Sequence, residues 1–335
     1  NAQEAGAKSL DTEFETYQAA YLEAFESYKK DIEKEWDEAR TSSPATWVSY
    51  KEGNKARTTL DYRANTIEVA IRADDKPTPK KIAALVAEVI KKPASEAIKQ
   101  DPILHKVNKQ PIPVSDILMS GIALTKDAIA KLIDKAKTLV DHDSKGEYVT
   151  VTVALPEKAK TDRVRQFLPA VKRYSKEFKV EIPLVLAVIH TESAFNPLAQ
   201  SHVPAFGLMQ IVPNSAGKDV QKLIYKRNQA PSASMLFKPD INIQHGCAYL
   251  HILNYRYLKS IKNKAAREHC CIAAYNTGAG NVARAFTGKT NVNSAAKIIN
   301  RMSSDEVYLH LRKNLKYKEA RDYIKRVNEH KSLYT

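Results

Sequence analysis

The residue best placed for proton chemistry is Glu192, which follows the unbroken apolar run from Leu184 to Ile189. At helical spacing it comes seven residues after Val185 and four after Val188, so its carboxyl projects from an apolar face. Such surroundings penalise the carboxylate, and an acid kept neutral near pH 7 can protonate an oxygen leaving group such as that of a glycosidic bond. The competing reading is a glutamate exposed at a fraying helix end, the commoner situation when no other motif is present. His190, two residues away, points to a different face and is packed or solvated. Asp219, Asp240, Asp305, Glu306 and Asp322 are available as a second acid, but surface or capping roles account for them.

The helix that must carry Glu192 has Pro183 in its first turn, and Asn196-Pro197 marks where the chain leaves it. Asp162 is placed to cap a preceding helix that runs to about Lys179. Beyond Leu155-Pro156 the strand signals disappear, and helices follow one another with Pro, Asn and Gly between them. Upstream, Phe14, Tyr17, Tyr21, Phe25, Tyr28, Ile32 and Trp36 recur every three or four residues, predicting a long amphipathic helix whose aromatic stripe packs in a core. Leu60 and Tyr62, then Ile67, Val69 and Ile71, alternate about a polar turn at Ala64-Asn65, which predicts a β-hairpin. A helix after Pro79 turns Ile82, Leu85, Val86, Val89 and Ile90 inward, and Val149, Val151 and Val153 alternate with polar neighbours. The fold class is therefore α+β: a smaller α+β domain over 1–157 and a mainly α-helical domain over 158–335, with no internal repeat.

Three short motifs surround the candidate acid. Glu192-Ser193-Ala194-Phe195-Asn196-Pro197, with Ser201 nine residues after the glutamate, precedes Gly207-Leu208-Met209-Gln210 and then Ala273-Ala274-Tyr275-Asn276-Thr277-Gly278. In this order they resemble the signature of the family 23 glycoside hydrolases, the lytic transglycosylases and goose-type lysozyme, over residues 162 to 335. Ala216-Gly217-Lys218-Asp219-Val220, Leu236-Phe237 before Pro239-Asp240, the run from Ala295 to Asn300 and the N-terminal α+β domain are similar to a membrane-bound branch of that family, which extends the resemblance to the whole chain.

The resemblance implies a lysozyme-like catalytic domain acting on peptidoglycan glycan strands without a cofactor or metal. It makes Glu192 first the general acid at the oxygen between N-acetylmuramic acid and N-acetylglucosamine, then the base that closes a 1,6-anhydro ring. The sugar's own acetamido group takes the part of a second carboxylate. Ser201, Gln210, Tyr275, Asn276 and Tyr323 match positions around the reacting sugar, where they orient the N-acetyl arm and hold the acid. Read without the family, Tyr275 and Asn276 simply end a helix before Gly278, and Tyr323, in phase with Ala320, Ile324 and Val327, is core. Members of this branch are outer-membrane lipoproteins facing the periplasm, so membrane contact is expected only through a lipid anchor that this chain, starting with polar Asn1 to Lys8, does not carry. Two departures bear on substrate preference: the bulky loop from His202 to Phe206, and Val212 where relatives often carry Met. A muramidase on the same fold would use water and leave a reducing end instead.

Charge alone does not choose between nucleic acid, acidic lipid and an anionic wall polymer as partner, or a merely solvated basic surface. Of the net +15, residues 161–335 hold 28 Lys and Arg against 12 Asp and Glu, whereas residues 1–160 hold 25 against 26. The basic half seeks an anionic partner, and since no nucleic-acid module signature is present, nucleic acid is not expected. The neutral half suggests a domain that orients the catalytic part or meets an envelope protein partner. Charged residues interrupt every apolar stretch before it is long enough to span a bilayer, which predicts a soluble chain. Cys247, Cys270 and Cys271 are too few for a zinc site and read as buried thiols; one disulfide from Cys247 to Cys270 or Cys271 stays open.

Overall fold

The computed structural model describes residues 2–108, 117–202 and 204–335, with side chains from residue 14 onward; Val203, in the loop from His202 to Phe206, lies outside the described residues. Two compact units are formed, one by residues 1–168, 192–214 and 229–242, the other by 169–191, 215–228 and 243–335.

In the first unit the aromatic stripe forms a helix, α1 (Ala2–Ile32). Its inward residues enter two clusters: Tyr21 with Tyr17, Phe25, Tyr28 and Ile103, and Ile32 with Trp36, Ala70, Tyr50 and Tyr148. The helix stops at Ile32, so Trp36 enters the core from the following turn. Its indole donates to the Asn54 carbonyl at 2.7 Å, and the guanidinium groups of Arg57 and Arg72 lie 4.6 and 4.9 Å from its ring centroid.

A five-stranded antiparallel sheet follows, built from β1 (Thr46–Lys51), β2 (Ala56–Asp61), β3 (Thr66–Arg72), β4 (Lys137–Asp143) and β5 (Gly146–Ala154) in the order β1-β2-β3-β5-β4. The hairpin expected about Asn65 is β2 and β3, with Leu60 opposite Ile67. Val151 and Val153 then pair with Val69 and Ile67. Alternation puts Ala70 toward Ile32 and Trp36 on one face and Ile67, Val69 and Ile71 on the other, where α2 (Pro79–Lys91) packs on β2 and β3. Thr78 caps α2 by accepting from the Lys81 amide at 3.2 Å, and Leu85, Val86, Val89 and Ile90 are buried. Each such side chain contributes about 1.5–3 kcal/mol by leaving water. Ile82 stays half-buried. Asn65, left-handed at φ 56°, does more than turn the chain: its amide donates to the Leu155 and Pro156 carbonyls at 3.1 Å, and its oxygen accepts from Arg163.

After the short helices α3 (Ala94–Gln100), α4 (Pro102–Val107) and α5 (Lys126–Asp134), those bonds fix the start of α6 (Glu157–Phe178). It begins five residues before Asp162, which therefore lies inside the helix and pairs with Lys158 and Arg165 instead of capping. Next comes α7 (Ile182–Ser193), with Pro183 in its first turn and every residue from Leu184 to Ile189 buried. Among the described residues no strand occurs after Ala154. In the second unit, α8 (Lys264–Thr277) packs against α9 (Ala279–Thr287), α10 (Ser304–Asn314) and α11 (Lys318–Ser332). Cys247, Cys270 and Cys271 are buried free thiols, and burial pushes Cys270 up to about 12. No helix among the described residues is long and apolar enough to cross a membrane.

Candidate active site

Glu192 occupies the last turn of α7 and is half-buried. Ser193 is fully buried, and its hydroxyl donates to the Leu208 carbonyl at 2.7 Å, tying this helix end to the Gly207–Gln210 turn. The chain then passes through two left-handed residues that are not glycine, Ala194 at φ 49° and Phe195 at φ 66°. Such a conformation costs about 1–2 kcal/mol per residue and persists only where its surroundings fix it. Asn196 supplies the fixing. It is fully buried, its amide nitrogen donates to the Pro44 carbonyl at 3.0 Å, and its side-chain oxygen accepts from the Leu198 amide at 3.0 Å.

The next turn is braced equally. Gly207 is left-handed at φ 76° and donates to the Ala199 carbonyl at 2.8 Å; a Cβ there would meet the Leu236 carbonyl oxygen at 2.7 Å and the Asn242 amide closer still. Asn242 lies in the first turn of a helix over Pro239–Ile252 and has no exposed surface. Its nitrogen donates to the Phe206 and Leu236 carbonyls at 2.7 Å, and its oxygen accepts from the Met209 amide at 2.8 Å. Gln210, at φ 50°, spends both amide hydrogens on the Ala199 and Gly207 carbonyls at 3.1 and 3.0 Å, which fixes the plane of its amide. Ser201 is half-buried, its backbone amide donating to the Ala205 carbonyl at 3.3 Å. The first unit thus brings Glu192, Ser201 and Gln210 onto one cross-braced segment.

Tyr275 and Asn276 belong to the second unit, at the end of α8. Tyr275 is half-buried with its ring 5.5 Å from that of Tyr249, while Asn276 is exposed. Gly278, at φ 87°, ends the helix. Tyr323 is 2 % exposed on α11 beside buried Ala320, Ile324 and Val327. His190 is packed, not solvated: its ring stacks on His330 with centroids 3.7 Å apart, and Tyr334 bonds its Nδ1 at 3.0 Å.

The other carboxylates are occupied elsewhere. Asp219 accepts from the Tyr257 hydroxyl at 2.8 Å, and burial together with that carboxylate pushes Tyr257 up to about 12. Glu306 completes a capping box with Ser303, Asp305 lies in the same helix's first turn, and Asp322 pairs with Lys318. No group of three or more His, Cys, Asp or Glu able to hold a metal occurs among the described residues. Sequence reasoning missed Asn242, since an asparagine between Ile241 and Ile243 carries no spacing signal of full burial.

The match to the Transglycosylase SLT domain covers residues 169–299, which include Glu192, Ser201, Gln210, Tyr275 and Asn276. The membrane-bound lytic murein transglycosylase C of Sodalis glossinidius is 32% identical over 92% of this chain and 88% of its own length. The chain belongs to the membrane-bound lytic murein transglycosylase C family. Its relative of that name from Salmonella typhimurium is 33% identical over 92% of this chain and 87% of its own. The 70 kDa soluble lytic transglycosylase of Escherichia coli overlaps 50% of this chain and 23% of that one, at 26% identity and a TM-score of 0.38. Family membership extends to the N-terminal α+β region, which the domain match leaves out.

Proposed function

We propose that this lytic transglycosylase cleaves the β-1,4 bond between N-acetylmuramic acid and N-acetylglucosamine in peptidoglycan, with Glu192 as its one acid and base. The observation that carries the reading is the position of Glu192 on a buried helix end next to a segment immobilised by Ser193, Asn196 and Asn242. A proton passes from the Glu192 carboxyl to the glycosidic oxygen as the C1–O bond breaks, and the acetamido oxygen of the muramyl sugar stabilises the positive charge at C1. The resulting carboxylate removes the proton of the C6 hydroxyl, whose oxygen then bonds C1 and displaces the acetamido oxygen. The acid is regenerated and a 1,6-anhydro end forms without water.

Ser201 and Gln210, with Tyr275, Asn276 and Tyr323, position the sugar and the acid. Positioning of this kind supplies orientation, not proton transfer. The division into an accessory domain, 1–157, and a catalytic domain, 158–335, belongs to the same proposal. So does a periplasmic location at the outer membrane with a lipid anchor, in keeping with the membrane-bound relatives. The basic charge of the C-terminal half suits an anionic wall.

Glu192→Gln tests the chemistry. Binding to purified sacculi should persist while turnover falls by about 10²–10⁴-fold, the usual contribution of a general acid. Equal lysis by variant and wild type would end the assignment.

A further inference from the structure

We infer that the aromatic face of α1 is a positioning surface for the reaction, with Tyr17 and Phe25 holding the 198–206 loop, and through it Ser201 and Gln210, in place beside Glu192. This rests on the catalytic reading of Glu192.

The first observation is how the chain divides. Residues 192–214 group with 1–168 in one compact unit, although the end of α6 and most of α7, residues 169–191, lie between them in sequence. The second is the set of contacts that makes this so. The Tyr17 ring meets Phe206 edge-on at 5.9 Å and 70°. Phe206 has no exposed surface and is wedged edge-on against Phe237 at 5.5 Å on another side. Phe25 lies 4.5 Å from the ring of His202, the residue after Ser201. Leu198 and Gln200 share a cavity wall with Tyr21 and Phe25. In the same unit, the Pro44 carbonyl accepts from the Asn196 side-chain amide at 3.0 Å.

The loop is held to its neighbours from both ends: the Gly207 amide donates to the Ala199 carbonyl at 2.8 Å, and Gln200 bridges to Phe206. Within it the Ser201 amide bonds the Ala205 carbonyl, and Phe206 pairs with Ile211, their amides and carbonyls bonding each other at 3.1 Å. Phe206 is therefore the transmitting residue. It touches α1 through its ring and Ile211, the neighbour of Gln210, through its backbone. Edge-to-face rings resist sliding because a displaced edge loses contact with the facing π cloud. An aliphatic side chain at Tyr17 or Phe25 keeps the apolar burial but loses this directional lock. Catalysis is sensitive to such a change, since a misplacement of about 1 Å can cost about 10²-fold.

The test uses the full chain on purified sacculi, comparing wild type, Tyr17→Leu, Phe25→Leu, Tyr17→Phe, His202→Ala and Glu192→Gln. The two Leu variants should lose between about 10- and 100-fold in kcat with KM and sacculus binding unchanged, and should melt within about 2–4 °C of wild type. Tyr17→Phe, which keeps the ring, should restore the rate. His202→Ala changes an exposed partner of Phe25, so it tests the same contact without risk to the core. It should lower kcat in the same sense. Wild-type kcat in Tyr17→Leu, Phe25→Leu and His202→Ala, or losses matched by the fraction unfolded, would overturn the inference while an inactive Glu192→Gln left the catalytic reading standing. An active Glu192→Gln would instead remove that reading.

Discussion

The end of α8 uses a glycine where the end of α7 does not. Gly278 takes a φ of 87° with no atom within 4 Å of where a Cβ would stand, and the exposed Asn276 precedes it. At α7 the same change of direction falls to Ala194 and Phe195, both left-handed, amid fully buried Ser193 and Asn196. One end is closed by a residue that is free to turn; the other is forced into shape by hydrogen bonds from Ser193 and Asn196 and, through Leu208, by the Gly207 turn. A forced end holds its side chains to one geometry, which the general-acid role proposed for Glu192 needs and the sugar-contacting role proposed for Asn276 can do without.

The sharpest way to break this contrast is to add a methyl group to each turn. Gly207→Ala puts Cβ 2.7 Å from the Leu236 carbonyl oxygen at a left-handed φ, and calorimetry should show a loss of about 3 kcal/mol or more, or no folded protein. Gly278→Ala carries only backbone strain, about 1 kcal/mol, and should lower the melting temperature by about 2–4 °C. Equal losses would contradict the difference in bracing.

Side-chain deletions follow in size. Asn242→Ala removes the side-chain partner of the Met209 amide and of the Leu236 carbonyl in a buried setting, and one of the two donors to the Phe206 carbonyl, and should cost about 2–3 kcal/mol in denaturant titration. Asn276→Ala should lie within about 0.5 kcal/mol of wild type in the same titration and show its effect in turnover alone.

The smallest effect concerns pH. Burial pushes the Asp101 carboxyl up to about 6, against the Leu104 and Ile103 amides, which favour the anion. A carboxyl raised in the fold stabilises it fully below the ordinary carboxylate range, and that contribution is lost as pH rises through the folded value. Asp101→Asn, which keeps a capping oxygen without a charge, should therefore melt a few degrees above wild type near pH 8 and converge with it near pH 4. A constant difference across that range would refute the linkage.

Much of the scaffold was legible because its periods are clean. The alternation at Leu60 to Ile71, the helical phase from Leu85 to Ile90 and the apolar run from Leu184 to Ile189 each appear as the expected element. β1 went unread since Trp47 and Val48 are both buried in succession, and β4 since almost every residue in it is exposed, leaving no alternation. Asp162 resembled a cap, but Asn65, a residue about a hundred positions earlier, holds the Leu155 and Pro156 carbonyls just before the helix start at Glu157. In the candidate site, Glu192, Ser201 and Gln210 were found through motifs. The bracing by Asn196 and Asn242 was not, because a buried polar side chain and an exposed one look alike until their partners, distant in sequence, are known.

The most direct measurement is mass spectrometry of the fragments released from purified sacculi. If Glu192 gives up its proton and reclaims one from the sugar's own hydroxyl, the muramyl ends will weigh one water less than hydrolysed ones. Hydrated reducing ends and no others would contradict that cycle.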